Sequence, residues 1–138
     1  MARSSSKIRR LVDLFHDIET TERAKVGDLA RQMNELRAAQ DGLLERLGNP
    51  TSETEPFLPL MSRSVGNMDR RLQRLAKEHE AAVRRYAEAA GRTHGASTLL
   101  ADVRAEEDRK AEQKDLEALI EFQQSIAAQG RCKSPRST

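Results

Sequence analysis

The segment Gly48-Asn-Pro-Thr-Ser-Glu-Thr-Glu-Pro-Phe-Leu-Pro59 decides the fold, because its three prolines fall within ten positions. A proline lacks the amide donor and holds the residue before it in extended geometry, so a helix does not cross such a stretch. On either side, apolar residues recur every three or four positions over much longer runs. Upstream, Ile8, Leu11, Phe15, Ile18, Val26, Leu29, Met33, Leu36, Leu43 and Leu47 share one seam, and Glu22 and Gln40 take its two polar positions. Downstream, Met68, Leu72, Leu75, Ala82, Tyr86, Ala89, Leu100 and Val103 repeat the pattern, and Leu116, Leu119 and Ile126 resume it. Alternating steps of three and four mark helices that bury a narrow stripe against a partner helix. The chain therefore reads as all-α: two long helices folded back once into an antiparallel coiled-coil hairpin, the second longer than the first.

The expected boundaries are a first helix at about 6–47, a turn at 48–61, a second helix at about 62–128 and a disordered tail at 129–138. Ser5 or Ser6 is the expected N-cap and Gly48 the left-handed stop. The tail is assigned from its Gly, Ser, Pro and Arg content. The upstream seam takes two consecutive steps of four around Glu22, a stutter that would locally unwind the supercoil. Gly91 and Gly95 weaken the second helix, since each costs about 1 kcal/mol relative to Ala; a soft spot in a continuous helix is the favoured reading over a close approach, a bend or a real break. Phe57, Leu58, Leu60 and Met61 either cap the hairpin or form an exposed tip. One-to-one pairing would set Leu47 near Leu72 and Ile8 near residues 105–111. Helix 2 would then overhang, with a polar run after Val103 and an apolar face from Leu116 that is either left without an internal partner or covered by a first helix that starts earlier or slips in register.

Composition limits the function. The chain has 138 residues, 37% hydrophobic, 33% charged and 3% aromatic, with no Trp, which suits a long-helix protein better than a compact globule. Its one cysteine, Cys132, excludes an internal disulfide and is compatible with a reducing compartment. No apolar run approaches the roughly 20 residues of a membrane span, so a cytoplasmic protein is expected. Net charge is +2, with eight acids to five bases over 11–47 and eight bases to four acids over 63–95. Antiparallel folding would bring those opposite balances together.

No phosphate loop, GxSxG, HExxH or paired Cys/His spacing is present. His16, His79 and His94 are isolated, and His79 on the seam reads as an interfacial imidazole rather than a metal ligand. The expectation is therefore no enzyme, no cofactor, no metal and no small-molecule substrate. Arg63, Arg70, Arg71, Arg74 and Lys77 form a basic cluster of the kind that binds phosphates. Asp69, Glu78 and Glu80 interleave with it and stacking aromatics are lacking, so nucleic-acid binding ranks below a solvated face.

The opening Lys7-Ile-Arg-Arg-Leu-Val-Asp-Leu-Phe15 and the late Arg104-Ala-Glu-Glu-Asp-Arg-Lys-Ala-Glu-Gln-Lys-Asp-Leu-Glu117, followed by Leu119, resemble the FliJ-like family of flagellar export proteins and its type III secretion counterparts. The shorter first helix and much longer second one are similar too. The Pro-rich turn and the glycine pair depart from the family pattern. The resemblance implies a non-enzymatic coiled-coil stalk or chaperone, like the central stalk of rotary ATPases. It would contact the export ATPase hexamer, the cytosolic domain of the export gate and other export chaperones, at the cytoplasmic side of the inner membrane, which it would touch only peripherally. Arg9, Arg10, Arg104, Arg109 and Lys110, with Leu116, Leu119 and Ile120 on the overhang, are the candidate partner-binding residues. The alternative is a structural coiled-coil scaffold or adaptor that dimerises through the overhang.

Overall fold

A computed structural model describes residues 4–132. Helix α1 spans Ser5–Gly48 and helix α2 spans Leu58–Cys132, with a short 3-10 turn, Glu55–Phe57, between them. The two helices lie antiparallel: Ser5 is held by Glu107, Glu22 by Arg85 and Gln40 by Val65. The described residues contain no strand.

The burial pattern gives the seam. On α1 it runs through Ile8, Val12, Phe15, Glu19, Glu22, Val26, Leu29, Met33, Leu36, Gln40, Leu43 and Leu47, all buried or half-buried. On α2 it runs through Leu58, Met61, Val65, Met68, Leu72, Leu75, His79, Ala82, Tyr86, Ala89, Thr93, Ala96, Leu100 and Val103. Both lists alternate steps of three and four without a break, so the stutter expected at Glu22 is absent. Val12 and Glu19 hold the positions assigned to Leu11 and Ile18, which are each 39% exposed. Continuity of the heptad outweighs the greater hydrophobicity of Leu and Ile, because a two-helix contact buries only one narrow stripe.

The polar seam positions are satisfied. The Gln40 Nε2 group donates to the Val65 carbonyl at 3.3 Å. The Glu22 carboxylate takes Arg85 Nε at 3.4 Å and lies 3.5 Å from Lys25 Nζ, with its side chain 15% exposed. Glu22–Arg85 is the one ion pair between the helices among the described residues. The opposite charge balances of the two helices thus meet directly at a single pair. His79 is half-buried beside Met33 and Asn34.

The register differs from one-to-one pairing. Gln40 meets Val65, not a residue near 79, because α2 pairs with the end of α1 from its own first turn at Leu58, directly after the short turn, rather than only from Leu72. Pro59 sits in the first turn of α2, where an amide donor has no helical acceptor to lose. Thr51 and Thr54 brace the turn reciprocally: the Thr51 N–H donates to Thr54 Oγ1 at 2.9 Å and the Thr54 N–H to Thr51 Oγ1 at 3.3 Å. Of the four apolar turn residues, Leu58 and Met61 enter the seam, while Phe57 and Leu60 stay exposed.

Both helix ends of α1 depart from expectation. The N-cap is Ser4, whose hydroxyl makes no capping bond, and no described glycine has positive φ, so Gly48 is the last helical residue and Asn49 closes the helix. Helix α2 continues through Gln129 to Cys132, so the first four residues of the expected tail are helical; the rest of that tail, 133–138, lies outside the described residues. Gly91 and Gly95 are helical, and a Cβ at either would meet nothing within 4 Å. The pair serves neither a break nor a close approach between α1 and α2.

Two outcomes follow from the seam. Gly91→Ala stabilises the protein by about 0.5–1 kcal/mol in urea unfolding, since helix propensity rises with no steric penalty. Glu22→Leu raises the melting midpoint, because an apolar side chain replaces a half-desolvated carboxylate; a lower midpoint would mean that the Arg85 and Lys25 contacts carry the register.

Candidate functional site

The sequence turns polar after Val103, and this is where α1 runs out. The last contact between the helix ends is the Ser5 N–H, which donates to Glu107 Oε1 at 2.9 Å. That contact has a clear physical cause. The first turn of α1 contains no acidic residue and carries Lys7, Arg9 and Arg10 close behind, although a helix N-terminus favours negative charge and needs acceptors for its first amides. Glu107 supplies both from the other helix. Its carboxyl is held below the usual carboxylate range, first by the Ser5 backbone N–H, then by the Ser5 side chain, with Arg104 and Lys110 adding to the effect.

Beyond Glu107, the 25 residues Asp108 to Cys132 have no α1 beside them. At 1.5 Å per residue this single helix projects about 38 Å. Residues 104–130 are all exposed. Leu116 (57%), Leu119, Ile120, Phe122 (62%) and Ile126 form its apolar face. At 100° per residue, the face is turned roughly 140° around α2 from the Ala96–Leu100–Val103 seam. An α1 extended at its start, or slipped in register, would still pack on the seam side and leave this face bare. The overhang is thus a separate surface, not a frayed end of the hairpin core.

The candidate residues divide into three sets. Leu116, Leu119 and Ile120 lie together on the overhang face. Arg9 and Arg104, at flanking heptad positions of α1 and α2, are exposed on one side of the hairpin close to its open end. Arg10 is exposed on the outer surface of α1, Lys110 continues the seam positions past the end of α1, and Arg109 is engaged with the Glu106 carboxylate one turn earlier. The structure does not gather the five basic residues into one patch.

Two features escaped the sequence reading. Leu11, Leu14, Ile18 and Leu99 form a second exposed apolar patch, on the side of the hairpin near the open end. The signal was the width of the apolar arc from Ile8 to Ile18, which exceeds what one partner helix can cover. The basic cluster is also sorted by the fold. Arg63, Arg70, Arg74 and Lys77 are exposed on the outer face of α2 away from α1, the last three with Asn67 and Gln73 around one shallow recess, while Arg71 faces the groove beside Gln32 and Glu35.

Compared with protein-family models, with curated proteins and with solved structures, the chain matches none. Among the described residues no three His, Cys, Asp or Glu side chains are placed to hold a metal ion, and no helix is long and apolar enough to cross a membrane.

The Glu107 contact sets a pH dependence. A carboxylate whose folded pKa is depressed contributes stability that is present above its unfolded pKa and is lost as pH falls through the folded value. Amide exchange at Ser5 therefore accelerates as pH is lowered below the ordinary glutamate range, after correction for intrinsic exchange, and Glu107→Gln flattens that extra pH dependence. An unchanged profile in the variant would remove Glu107 as the cap of α1.

Proposed function

We propose that the chain is a non-enzymatic coiled-coil stalk of a flagellar or type III protein export apparatus. It reaches the export ATPase hexamer with the overhang of α2 and the export gate with the adjoining open end, at the cytoplasmic face of the inner membrane. The observation that carries this reading is the asymmetry of the rod. One end is closed by a braced turn, and the other ends in a single exposed helix about 38 Å long that can enter a central opening. The resemblance of Lys7–Phe15 and Arg104–Glu117 to the export family supports the same assignment. Mixed charge along the overhang, with Asp108, Arg109, Lys110, Glu112 and Lys114 in succession, suits a weak contact that breaks and reforms as a motor turns, since exposed pairs contribute only about 0.2–1 kcal/mol each. A scaffold or adaptor role is the second reading, favoured by the bare apolar face at Leu116–Ile126.

The purified chain should bind the purified export ATPase hexamer of the same cell, with affinity reduced at least tenfold by Leu119→Asp with Ile120→Asp and little changed by Phe57→Ser at the turn. Loss of binding from Phe57→Ser alone would reverse the polarity of the rod. Absence of binding by the unaltered chain would defeat the stalk reading.

A further inference from the structure

The side of α2 that faces away from α1 changes sign along its length, and the change is centred on Gly91. Every seventh residue from Arg63 stands opposite the seam, and this line begins with four exposed bases, Arg63, Arg70, Lys77 and Arg84. It then passes Gly91 and ends in Glu112, Leu119 and Ile126. The positions flanking the line divide in the same way. Toward the turn they add Arg74, with Glu80 as the one acid, and that acid is engaged by Arg84 at 2.8 Å. Toward the overhang they add Asp102, Asp108 and Asp115, with Arg109 as the one base, and that base is engaged by Glu106. The bases centre near residue 74 and the acids near residue 109, about equally far from Gly91. Large apolar side chains stand at both ends, Phe57 and Leu60 at the turn and Leu116, Leu119, Phe122 and Ile126 on the overhang, each 52% to 62% exposed.

We infer that two copies of the chain pair antiparallel through this outer face of α2, about a two-fold axis at Gly91. In that arrangement Arg70 of one copy lies level with Glu112 of the other, and Lys77 lies between Asp102 and Asp108. Phe57 and Leu60 meet the apolar end of the other overhang around Phe122 and Ile126. Each overhang is thereby covered by the turn half of the other copy's α2. Parallel pairing would instead set base beside base and acid beside acid, which opposes association. An isologous contact of this kind closes on itself and leaves no repeating edge. Side chains at a contact set the distance between helix axes, and Ala87, Gly91 and Gly95 at the centre, where a Cβ on either glycine meets nothing within 4 Å, let the two helices approach closely.

The charge pattern, not the glycine pair, selects the occupant. A nucleic acid or an anionic membrane would be drawn to the basic half of the face and repelled by the acidic half. A helix of another protein would need the same reversal of sign over the same distance, which a second copy has by construction. The size agrees. Six large apolar side chains per copy, with the charged face between them, bring the contact to the roughly 1,200–2,000 Å² buried by specific interfaces. Exposed charges make up much of it, so the dimer is reversible and weakened by salt. Self-pairing is independent of the stalk reading: it covers the overhang of the free rod, and a ring that engages this end would have to displace the second copy.

Sedimentation of the full chain tests the pairing without any export component. The expected result is a rise from the 15.5 kDa monomer toward twice that mass between about 1 µM and a few hundred µM, with tighter association at low salt. Arg70→Glu with Lys77→Glu, both exposed and off the seam, should weaken association by about tenfold or more with helix content and melting of the hairpin unchanged. Adding Asp108→Lys with Glu112→Lys to that chain should restore it, because the reversed charges again oppose each other across the axis. Spin labels on Ala76→Cys in a Cys132→Ser chain should lie about 45 Å apart across the dimer. A monomer at every concentration, a dimer indifferent to the first charge reversal, a failure of the second to restore it, or a label separation outside about 35–55 Å would each overturn the proposal.

Discussion

Everything in this molecule depends on one stripe of contact between two helices. Because each helix touches a single partner, the positions spaced alternately by three and four leave water, with a few half-buried flanking residues such as Ala30, Gln32, Ala81 and Ala90 beside them, and the remaining side chains stay on the surface whatever their chemistry. The stripe is also uneven. Toward the turn it is built from Leu, Met and Val. Toward the open end α2 contributes Ala82, Ala89 and Ala96, which are almost fully buried, against Val12, Phe15, Glu19, Glu22 and Val26 of α1. Small residues on one helix accommodate larger and even charged ones on the other, and so Glu22 can sit in the seam while its carboxylate reaches Lys25 and Arg85.

The seam sets the register, and the register sets where α1 ends along α2. Gln40 on the Val65 carbonyl and Glu22 on Arg85 are polar contacts that bond only in one alignment, a use of seam polarity known to fix pairing at some cost in stability. The same alignment delivers Glu107 to the uncapped amide of Ser5. A basic first turn is a poor start for a helix on its own, and here it is completed by an acid more than a hundred residues away in sequence. Past that contact α2 is a single helix, and the function proposed for the protein rests on what that helix can reach.

The hairpin itself was legible from the proline-bearing segment and the two runs of apolar spacing. What escaped was frame and alignment. Leu11 and Ile18 are more hydrophobic than Val12 and Glu19, so a reading that ranks residues singly places them in the seam and inserts a stutter. The continuous heptad is a property of the whole helix and overrides that local preference. Pro59 looked like part of the turn, whereas it lies inside the first turn of α2; pairing Leu47 with Leu72 left the first residues of α2 out of the seam, and that shifted the alignment by several turns. The apolar residues Leu116, Leu119 and Ile120 were visible in the sequence, but a first helix slipped in register or started earlier could still have covered them until their phase against the seam was known; the Glu107 cap was not visible, since it exists only in the correct alignment. The basic candidates Arg9, Arg10, Arg104, Arg109 and Lys110 were chosen by position along the chain, and helical phase then spread them over different sides of the rod.

The alignment is open to one direct measurement. Arg37 and Asp69 are exposed on matching flanks of the two helices, and the Gln40–Val65 contact puts them side by side. Spin labels on Arg37→Cys and Asp69→Cys in a Cys132→Ser chain, diluted with unlabelled protein, should report a single separation of about 10–20 Å, given helix axes roughly 8–10 Å apart. One-to-one pairing, with Leu47 near Leu72, would displace the two sites along the rod by about 20 Å, and an opened hairpin would separate them by nearly 50 Å. A dominant distance beyond about 25 Å would contradict the register, and with it the position of the overhang.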